Sequence, residues 1–450
     1  MVFNLWAGTL IHLPLDKPAG RRDLGSMSMT EPQQSPEKAL ETEVLIAGGG
    51  MVGLSLGLTL AGAGVEVVVV DREDPATVQA AAFDGRSSAI ARGSRQALAG
   101  AGLWDAMAPA AQPILDIRVS DGRIGRRTAP FFLHYDHREA DGGPLGYIVE
   151  NRAIRKALHG VLASRPSLRL IAPDTVDALE PAGQRIAARL GGGRRIAARL
   201  AVVAEGRNSP LREAAGIRAT RWSYPQTGIV CTVAHEQPHH GVAHEHFLPA
   251  GPFAVLPMTD DEAGRHRSSL VWTERRDLAP AMMALEPPNF AAEIARRFGD
   301  SLGRLEPIGG RWSYPLSLLH AERYHGPRLA LIGDSAHAIH PIAGQGLNLG
   351  LRDVAALAEV VVDARRLGLD IGAAPVLRRY ERWRRFDNLA LIAATDGLNR
   401  LFSNDLPPLR LARDLGLAAV DRLPPLKRLF MNQAMGLVGE LPRLVRGEPL

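Results

Sequence analysis

Two segments carry residues whose types and spacing could do chemistry. The first is Gly48-Gly49-Gly50-Met51-Val52-Gly53, set between the apolar run Val44–Ala47 and a helical stretch from Leu54 to about Ala63. A second apolar run, Val65–Val70, ends in Asp71. Strand, glycine turn, helix, parallel strand and acid within about thirty residues make a dinucleotide-binding unit. Gly48 permits the tight turn, Gly50 lets a pyrophosphate approach the backbone, and Gly53 lets helix and strand pack closely. The helix N-terminus faces the phosphates with unpaired N–H groups, and Asp71 can accept hydrogen bonds from ribose hydroxyls. The second segment is Gly333-Asp334-Ser335-Ala336-His337-Ala338-Ile339-His340-Pro341-Ile342-Ala343-Gly344-Gln345-Gly346-Leu347-Asn348. An apolar strand, Leu329–Ile332, delivers Asp334 at its C-terminal end, where open α/β sheets bind ligands. A Pro/Gly loop follows, then a long apolar-periodic helix from Leu347 to about Arg366 that aims its N-terminus at the same ligand.

The elements that must position these groups fit a chain of 450 residues, 46% apolar and 22% charged. At ~100–200 residues per domain this length allows two or three domains with real cores. Residues 116–150 and 221–318 hold short alternating or aromatic runs separated by Pro, Gly and charged turns, a strand-and-turn texture. The near-repeat Arg185–Leu190 and Arg195–Leu200, joined through Gly191-Gly192-Gly193, reads as a β-hairpin whose second strand runs on to Ala204. After Asp353 the chain turns helical, with proline breaks at 407–408 and 424–425. Residues 1–40 read as a disordered leader or a start placed too early, with Met27 and Met29 as candidates, so the folded protein begins near Glu41.

Several function classes are set aside. The net charge is +5, almost all from dispersed arginine, because lysine occurs only at 17, 38, 156 and 427; no nucleic-acid partner is expected. Cys231 is the single cysteine and cannot form an internal bridge. No stretch approaches the ~18–20 apolar residues of a membrane span. His337 and His340 lie three apart, but no third ligand has metal-site spacing, so no metal is expected and their role is structural. Ser209, beside Asn208 and Glu205, lacks a nucleophile elbow.

Taken together, the glycine turn and the GD…HPxxGQGxN segment resemble the single-component flavoprotein aromatic hydroxylases. A third motif, Ala204-Glu205-Gly206-Arg207-Asn208-Ser209-Pro210-Leu211-Arg212, fits that family, which normally carries Asp-Gly where this chain has Glu205-Gly206. Within the family the sequence is similar to the ubiquinone-biosynthesis hydroxylases, through Phe83–Ile90, Tyr147–Arg152, the GD segment and Leu423–Phe430, spread from about residue 43 to 437. The resemblance implies an α/β fold in which a Rossmann-like FAD-binding domain (41–115, 150–220 and 320–366) is interleaved with a β-sheet substrate domain (116–149 and 221–319). A C-terminal helical region (367–450) follows. It implies FAD held by Gly48, Gly50, Gly53, Asp71, Arg86, Arg152 and Asp334, with the flavin ring against Pro341, Gly344, Gln345 and Gly346. Backbone N–H groups of Gly346, Leu347 and Asn348 would stabilise negative charge at its N1–C2=O edge. The implied chemistry is hydroxylation of a phenol through a flavin C4a-hydroperoxide, with NAD(P)H or another donor and O2. No residue stands out as a general base for the phenol.

The favoured substrate is a polyprenylated phenol on the way to ubiquinone. A small soluble aromatic compound, or a non-catalytic flavoprotein subunit in a hydroxylase complex, are the competing readings. A ubiquinone-biosynthesis protein complex is the protein partner implied. The basic and apolar region Leu406–Arg446, with Arg410, Arg413, Arg422, Lys427, Arg428, Arg443 and Arg446, suits a weak, salt-sensitive contact with anionic membranes. The expected location is cytoplasmic, peripheral at the inner membrane.

Overall fold

The first strand, Leu40–Ala47, sits at the centre of a parallel sheet because its residues are apolar on both faces and buried on both faces. The computed structural model describes residues 39–122, 124–125, 132–140, 142–341, 344–403 and 420–450. The leader expected at 1–40 falls almost wholly outside the described residues, as do Leu406, Pro407, Pro408, Arg410 and Arg413. The parallel strands follow the order Leu329–Leu331, Arg195–Val203, Leu40–Ala47, Val67–Val70 and Leu168–Ile171. Helix Met51–Gly62 starts three residues earlier than its apolar run suggested, because Gly50 is the extended N-cap residue. The near-repeat is a hairpin: Arg185–Leu190 runs antiparallel to Arg195–Val203, pairing Ile186 with Ala198 and Ala188 with Ile196. Its second strand then continues beside the first strand, Leu200 opposite Val44 and Val203 opposite Ala47.

A second sheet of eight strands is led by two long antiparallel strands, Ala219–His235 and Leu305–Ala321. Its two faces obey the period of two. Ile229, Cys231, Val233, Phe253, Val255, Leu270 and Trp272 point to one side and pack on helix Pro287–Phe298 through Phe290, Ile294 and Phe298. That helix, with Ala279–Met283 before it, corrects the strand-and-turn reading of 221–318. The signal was present, in apolar residues at 290, 294 and 298 behind Pro287-Pro288. A small antiparallel sheet, Ser87–Ala91, Gly146–Glu150 and Ala111–Ile114, completes the β structure among the described residues.

The GD segment is fixed from below. Helix Gln345–Arg366 buries Asp353, whose carboxylate accepts hydrogen bonds from Gly333 N–H (3.0 Å), His337 Nε2 (2.6 Å) and Arg384 Nε (2.8 Å). Arg384 comes from the following helix, Ala374–Phe402, and also donates to Asp387 and Asn388. Helix Pro424–Ala434 and a final turn, Arg443–Arg446, follow, and Leu444 and Val445 pack against Ala97 and Ala355. No helix among the described residues is long and apolar enough to cross a membrane.

Burial works against the Asp353 carboxylate, yet His337 and Arg384 together hold it well below the usual carboxylate range. A depressed value means that this stability is present above the ordinary carboxylate pKa and is lost as pH falls towards the folded one. Asp353→Asn leaves the Arg384 charge buried without its main counterion and should cost ~3–5 kcal/mol. Urea unfolding at neutral pH measures it, and superimposable curves for variant and parent would contradict the assignment.

Candidate active site

At the glycine turn the backbone leaves no room for side chains. Gly48 has φ +103°, and a Cβ there would lie 2.5 Å from the Ala204 carbonyl oxygen; one on Gly53 would lie 1.9 Å from the carbonyl oxygen of Gly48. Gly50, by contrast, faces open space. Asp71 clamps the turn: one carboxylate oxygen accepts the Gly49 N–H and the other accepts the Glu73 N–H at 2.7 Å. Each oxygen keeps a lone pair for a further donor.

Asp334 stands in the short turn after Leu329–Leu331 and meets the Arg207 guanidinium at 3.2 Å, both half-exposed. The departure at Glu205 is accommodated locally. Its carboxylate accepts the Ser209 hydroxyl at 2.6 Å and lies 3.4 Å from the Leu211 nitrogen, so it braces the turn that carries Arg207. Fully buried Arg212 ties the same turn to the GD segment by donating to the Arg207 and Ser335 carbonyls, each at 3.1 Å.

Gly344, at φ +62°, turns the chain into helix Gln345–Arg366, which has no side-chain cap. The Asn348 side chain is occupied structurally. Its Oδ1 accepts Ala91 N–H (2.8 Å), and its Nδ2 donates to Ala89 O (2.9 Å) and Gly344 O (3.1 Å). It clips the helix start to strand Ser87–Ala91. Gly346 faces open space.

Most of the expected site residues line one cavity of about 2060 Å³: Gly48, Gly50, Asp71, Arg86, Asp334, Pro341, Gly344, Gln345, Gly346, Leu347 and Asn348. Gly53 lies behind the turn and serves packing. Arg152 is not brought to the cavity: its guanidinium is paired with Glu150 at 2.5 Å and lies over Phe83. The same helix, Asn151–Val161, presents Asn151 and Arg155 to the cavity instead, four residues apart on one face. That spacing was the available signal. Arg86 lies at the wall, paired with Asp84 and 4.9 Å from the Trp312 ring centre. His337 and His340 are not partners: His337 is bound to Asp353, and His340 meets Tyr224 edge-on at 5.1 Å. Arg207 and Glu245 also line the cavity, although neither stood out in the sequence as a site residue.

The cavity changes character along its length. Asp71, Glu73, Arg155, Asp174 and Glu205 make one end polar. Beyond Gly344–Asn348 it opens into an apolar chamber between the second face of the eight-stranded sheet and the C-terminal helices, reaching Leu391, Leu398, Phe402 and Phe430. Burial pushes His340, next to Pro341, down to about 4, so its ring is neutral at physiological pH.

The FAD binding domain family model matches residues 41–366. The ubiquinone hydroxylase UbiL of Rhodospirillum rubrum is 54% identical over 91% of this chain and 93% of its own. The 3-demethoxyubiquinol 3-hydroxylase of Escherichia coli is 38% identical over 88% and 99%. Among solved structures, p-nitrophenol 4-monooxygenase PnpA from Pseudomonas putida shares the fold, with a TM-score of 0.72, 20% identity and coverage of 89% of this chain and 99% of its own. The chain belongs to the FAD-binding-domain family of aromatic-ring monooxygenases.

Proposed function

We propose that this protein hydroxylates the aromatic ring of a polyprenylated phenol on the route to ubiquinone. The observation that carries the reading is the size and gradient of the cavity. A pocket for one small ligand measures about 300–1,000 Å³, whereas this one is about 2060 Å³ and becomes apolar away from the glycine turn. It has room for a dinucleotide at the polar end and a long hydrocarbon at the other. The residues fit FAD, because Gly50 and Gly346 both face space in which an added Cβ would meet nothing within 4 Å. Bound there, FAD supplies the transfer of one oxygen atom from O2 to the ring at the expense of a reduced nicotinamide.

The chain's own groups bind, orient and exclude water. Gly48, Gly50 and the start of helix Met51–Gly62 receive the pyrophosphate, and Asp71 accepts ribose hydroxyls. Asp334 holds the linker hydroxyls, while Arg86, Pro341, Gly344 and Gln345 wall the ring system. With FAD bound, the N–H groups at Gly346, Leu347 and Asn348 would present a positive helix end to the ring system and would stabilise negative charge there. Arg152 is assigned no contact, and Arg155 takes its place at the polar end.

The same reading brings the protein to a membrane surface, where its substrate partitions. Lys427 is buried between Glu139 and Asp421, Arg443 is paired with Glu359 and Asp363, and Arg446 with Glu448. Lys427 and Arg443 thus serve the fold, while the Arg446–Glu448 pair, with Arg422 and Arg428, lies at the surface. Apolar exposure remains: Phe386 at 77%, Leu429 at 53% and Leu423 at 52%, with Leu398, Leu401 and Phe430 both exposed and lining the cavity. These last three form a lip through which a prenyl chain passes from lipid into the chamber.

The direct test supplies purified protein with a prenylated phenol, NAD(P)H and air, and weighs the product. A gain of one oxygen atom is expected, together with accumulation of the unhydroxylated quinone precursor in a deletion strain. Equally efficient turnover of a tail-less phenol, with ubiquinone untouched by the deletion, would favour a small-aromatic hydroxylase. At the site, Asp334→Ala should weaken FAD binding about ten- to hundredfold, the ~1.5–3 kcal/mol of a charge-assisted hydrogen bond. Glu205→Ala should instead cost about 1 kcal/mol of stability, as loss of a cap does. Fluorescence titration with FAD separates the two, and equal affinities for Asp334→Ala and parent would remove Asp334 from the site. For the lip, Phe430→Glu should lower vesicle co-sedimentation by at least about tenfold, since burying such a ring contributes ~1.5–3 kcal/mol. Undiminished co-sedimentation would make the lip an ordinary surface.

A further inference from the structure

The chamber's floor is built of cross-strand rows on the second face of the eight-stranded sheet. One row runs Leu133, Val119, Glu245, Ala254, Val271 and Val230, each opposite the next across neighbouring strands. All six line the cavity. Ala243 and Phe247, the same-face neighbours of Glu245 on its own strand, line it too. A carboxylate stands at the middle of an apolar surface. Among the described residues no group hydrogen-bonds or ion-pairs with it. An unpartnered carboxylate in such a place opposes stability, and a residue serving packing alone would be apolar.

Its position relative to the helix start is set by the strand. Ala243 lies two residues away, ~6.6 Å at the usual strand rise. It shares an apolar cluster with Ala89. Ala89 is the residue whose carbonyl accepts Asn348 Nδ2, and a Cβ on Gly344 would lie 2.8 Å from its own. Glu245 therefore stands one row beyond the wall that touches the N-terminus of helix Gln345–Arg366, on the chamber side.

We propose that Glu245 is the general base for the substrate's phenol, which rests on the ring-hydroxylation reading above. The phenolic O–H bond breaks, its proton forms a new O–H bond on the Glu245 carboxylate, and the electron pair stays on the phenolate oxygen. Conjugation then raises electron density at the ortho and para carbons, where the oxygen atom is received. The proton leaves the carboxyl for solvent when product departs.

The surroundings suit this role. Burial pushes the Glu245 carboxyl up to about 7, near the pH at which a base works best. The other titratable groups lining the chamber are Tyr135, Tyr314 and His244. Burial raises both tyrosines, so they are protonated donors at neutral pH; Asp421 adds to the effect at Tyr135, and Arg207 opposes it at Tyr314. Burial, with His246 and Arg118, pushes His244 down to about 3, so its ring is neutral. Asp121 lies two positions along the neighbouring strand from Val119, opposite Phe247. The rings of His244 and His246 lie against Phe298. The cavity-lining positions of helices Ala374–Phe402 and Pro424–Ala434, including Leu391, Thr395, Leu398, Phe430 and Gln433, carry no titratable side chain.

The test compares FAD-loaded parent, Glu245→Gln and Glu245→Asp in two arms. In turnover of a prenylated phenol, Glu245→Gln should lose about 10²–10⁴-fold in kcat with FAD affinity and Tm retained. The acid limb of the parent's kcat profile should disappear, and Glu245→Asp should recover part of the rate. In the second arm, a chain-bearing nitrophenol is bound and its phenolate band followed against pH. In the parent the carboxylate and the phenol share one proton, and the phenolate band should rise in two steps. Glu245→Gln should collapse these to one step and lower the final midpoint by about one pH unit or more. Unchanged kcat profiles and an unchanged midpoint in Glu245→Gln would overturn the proposal. If the parent hydroxylates no prenylated phenol, the ring-hydroxylation reading fails, while the nitrophenol midpoint still decides whether Glu245 takes a phenol proton.

Discussion

The buried Asp353 carboxylate is the constraint on which the site depends. It joins three pieces of chain that otherwise have no reason to keep a common geometry: the GD turn through Gly333, the following loop through His337, and the C-terminal helices through Arg384. Such a group has only poor alternatives. Moved out of register, it would leave a charge in a region without water, and so would each of its partners. The interaction therefore gives specificity of arrangement more than net stability. It sets Asp334, one residue after Gly333, at the end of the sheet, and it fixes the start of helix Gln345–Arg366 against the same cavity.

The eight-stranded sheet solves a separate problem with simple means. Odd-numbered residues 229, 231 and 233 make a dry core with helix Pro287–Phe298, and even-numbered Val230 faces the chamber. The core side is filled to closure, with Trp272, Phe253 and Phe290 fully buried. The chamber side is apolar yet left unfilled by protein side chains. A solvent-facing sheet would carry polar residues there, so the apolar floor marks a surface meant for a ligand rather than for water.

Legibility in the sequence followed the range of the interactions. The glycine turn, Asp71, the hairpin at 185–203 and the GD segment were readable because each is specified within about thirty residues by backbone sterics and periodicity. The helical insert at 279–298 was overlooked although its i, i+4, i+8 apolar pattern was present, because the surrounding strand texture dominated. Arg152 and Arg155 could be separated only by knowing which helix face meets the cavity. Glu245 was not readable at all: in sequence it is one charge among histidines, and its isolation arises from Val119 and Ala254, over a hundred residues away and nine residues away, being brought beside it. Likewise Lys427 and Arg443 read as part of a surface array until Glu139, Glu359 and Asp363 were seen to pair with them, whereas Arg422 and Arg428 remain exposed.

The strand order of the parallel sheet has a consequence for how the protein is made. Leu329–Leu331 completes the run beside Arg195–Val203, and helix Gln345–Arg366 packs through Ala355 on Leu444 and Val445. Contacts of such sequence separation close slowly. During synthesis at ~5–20 residues per second, the Leu40–Ala47 and Val67–Val70 strands emerge tens of seconds before their final neighbours. The nascent chain thus holds an unfinished apolar sheet edge at Arg195–Val203 until Leu329–Leu331 has been made.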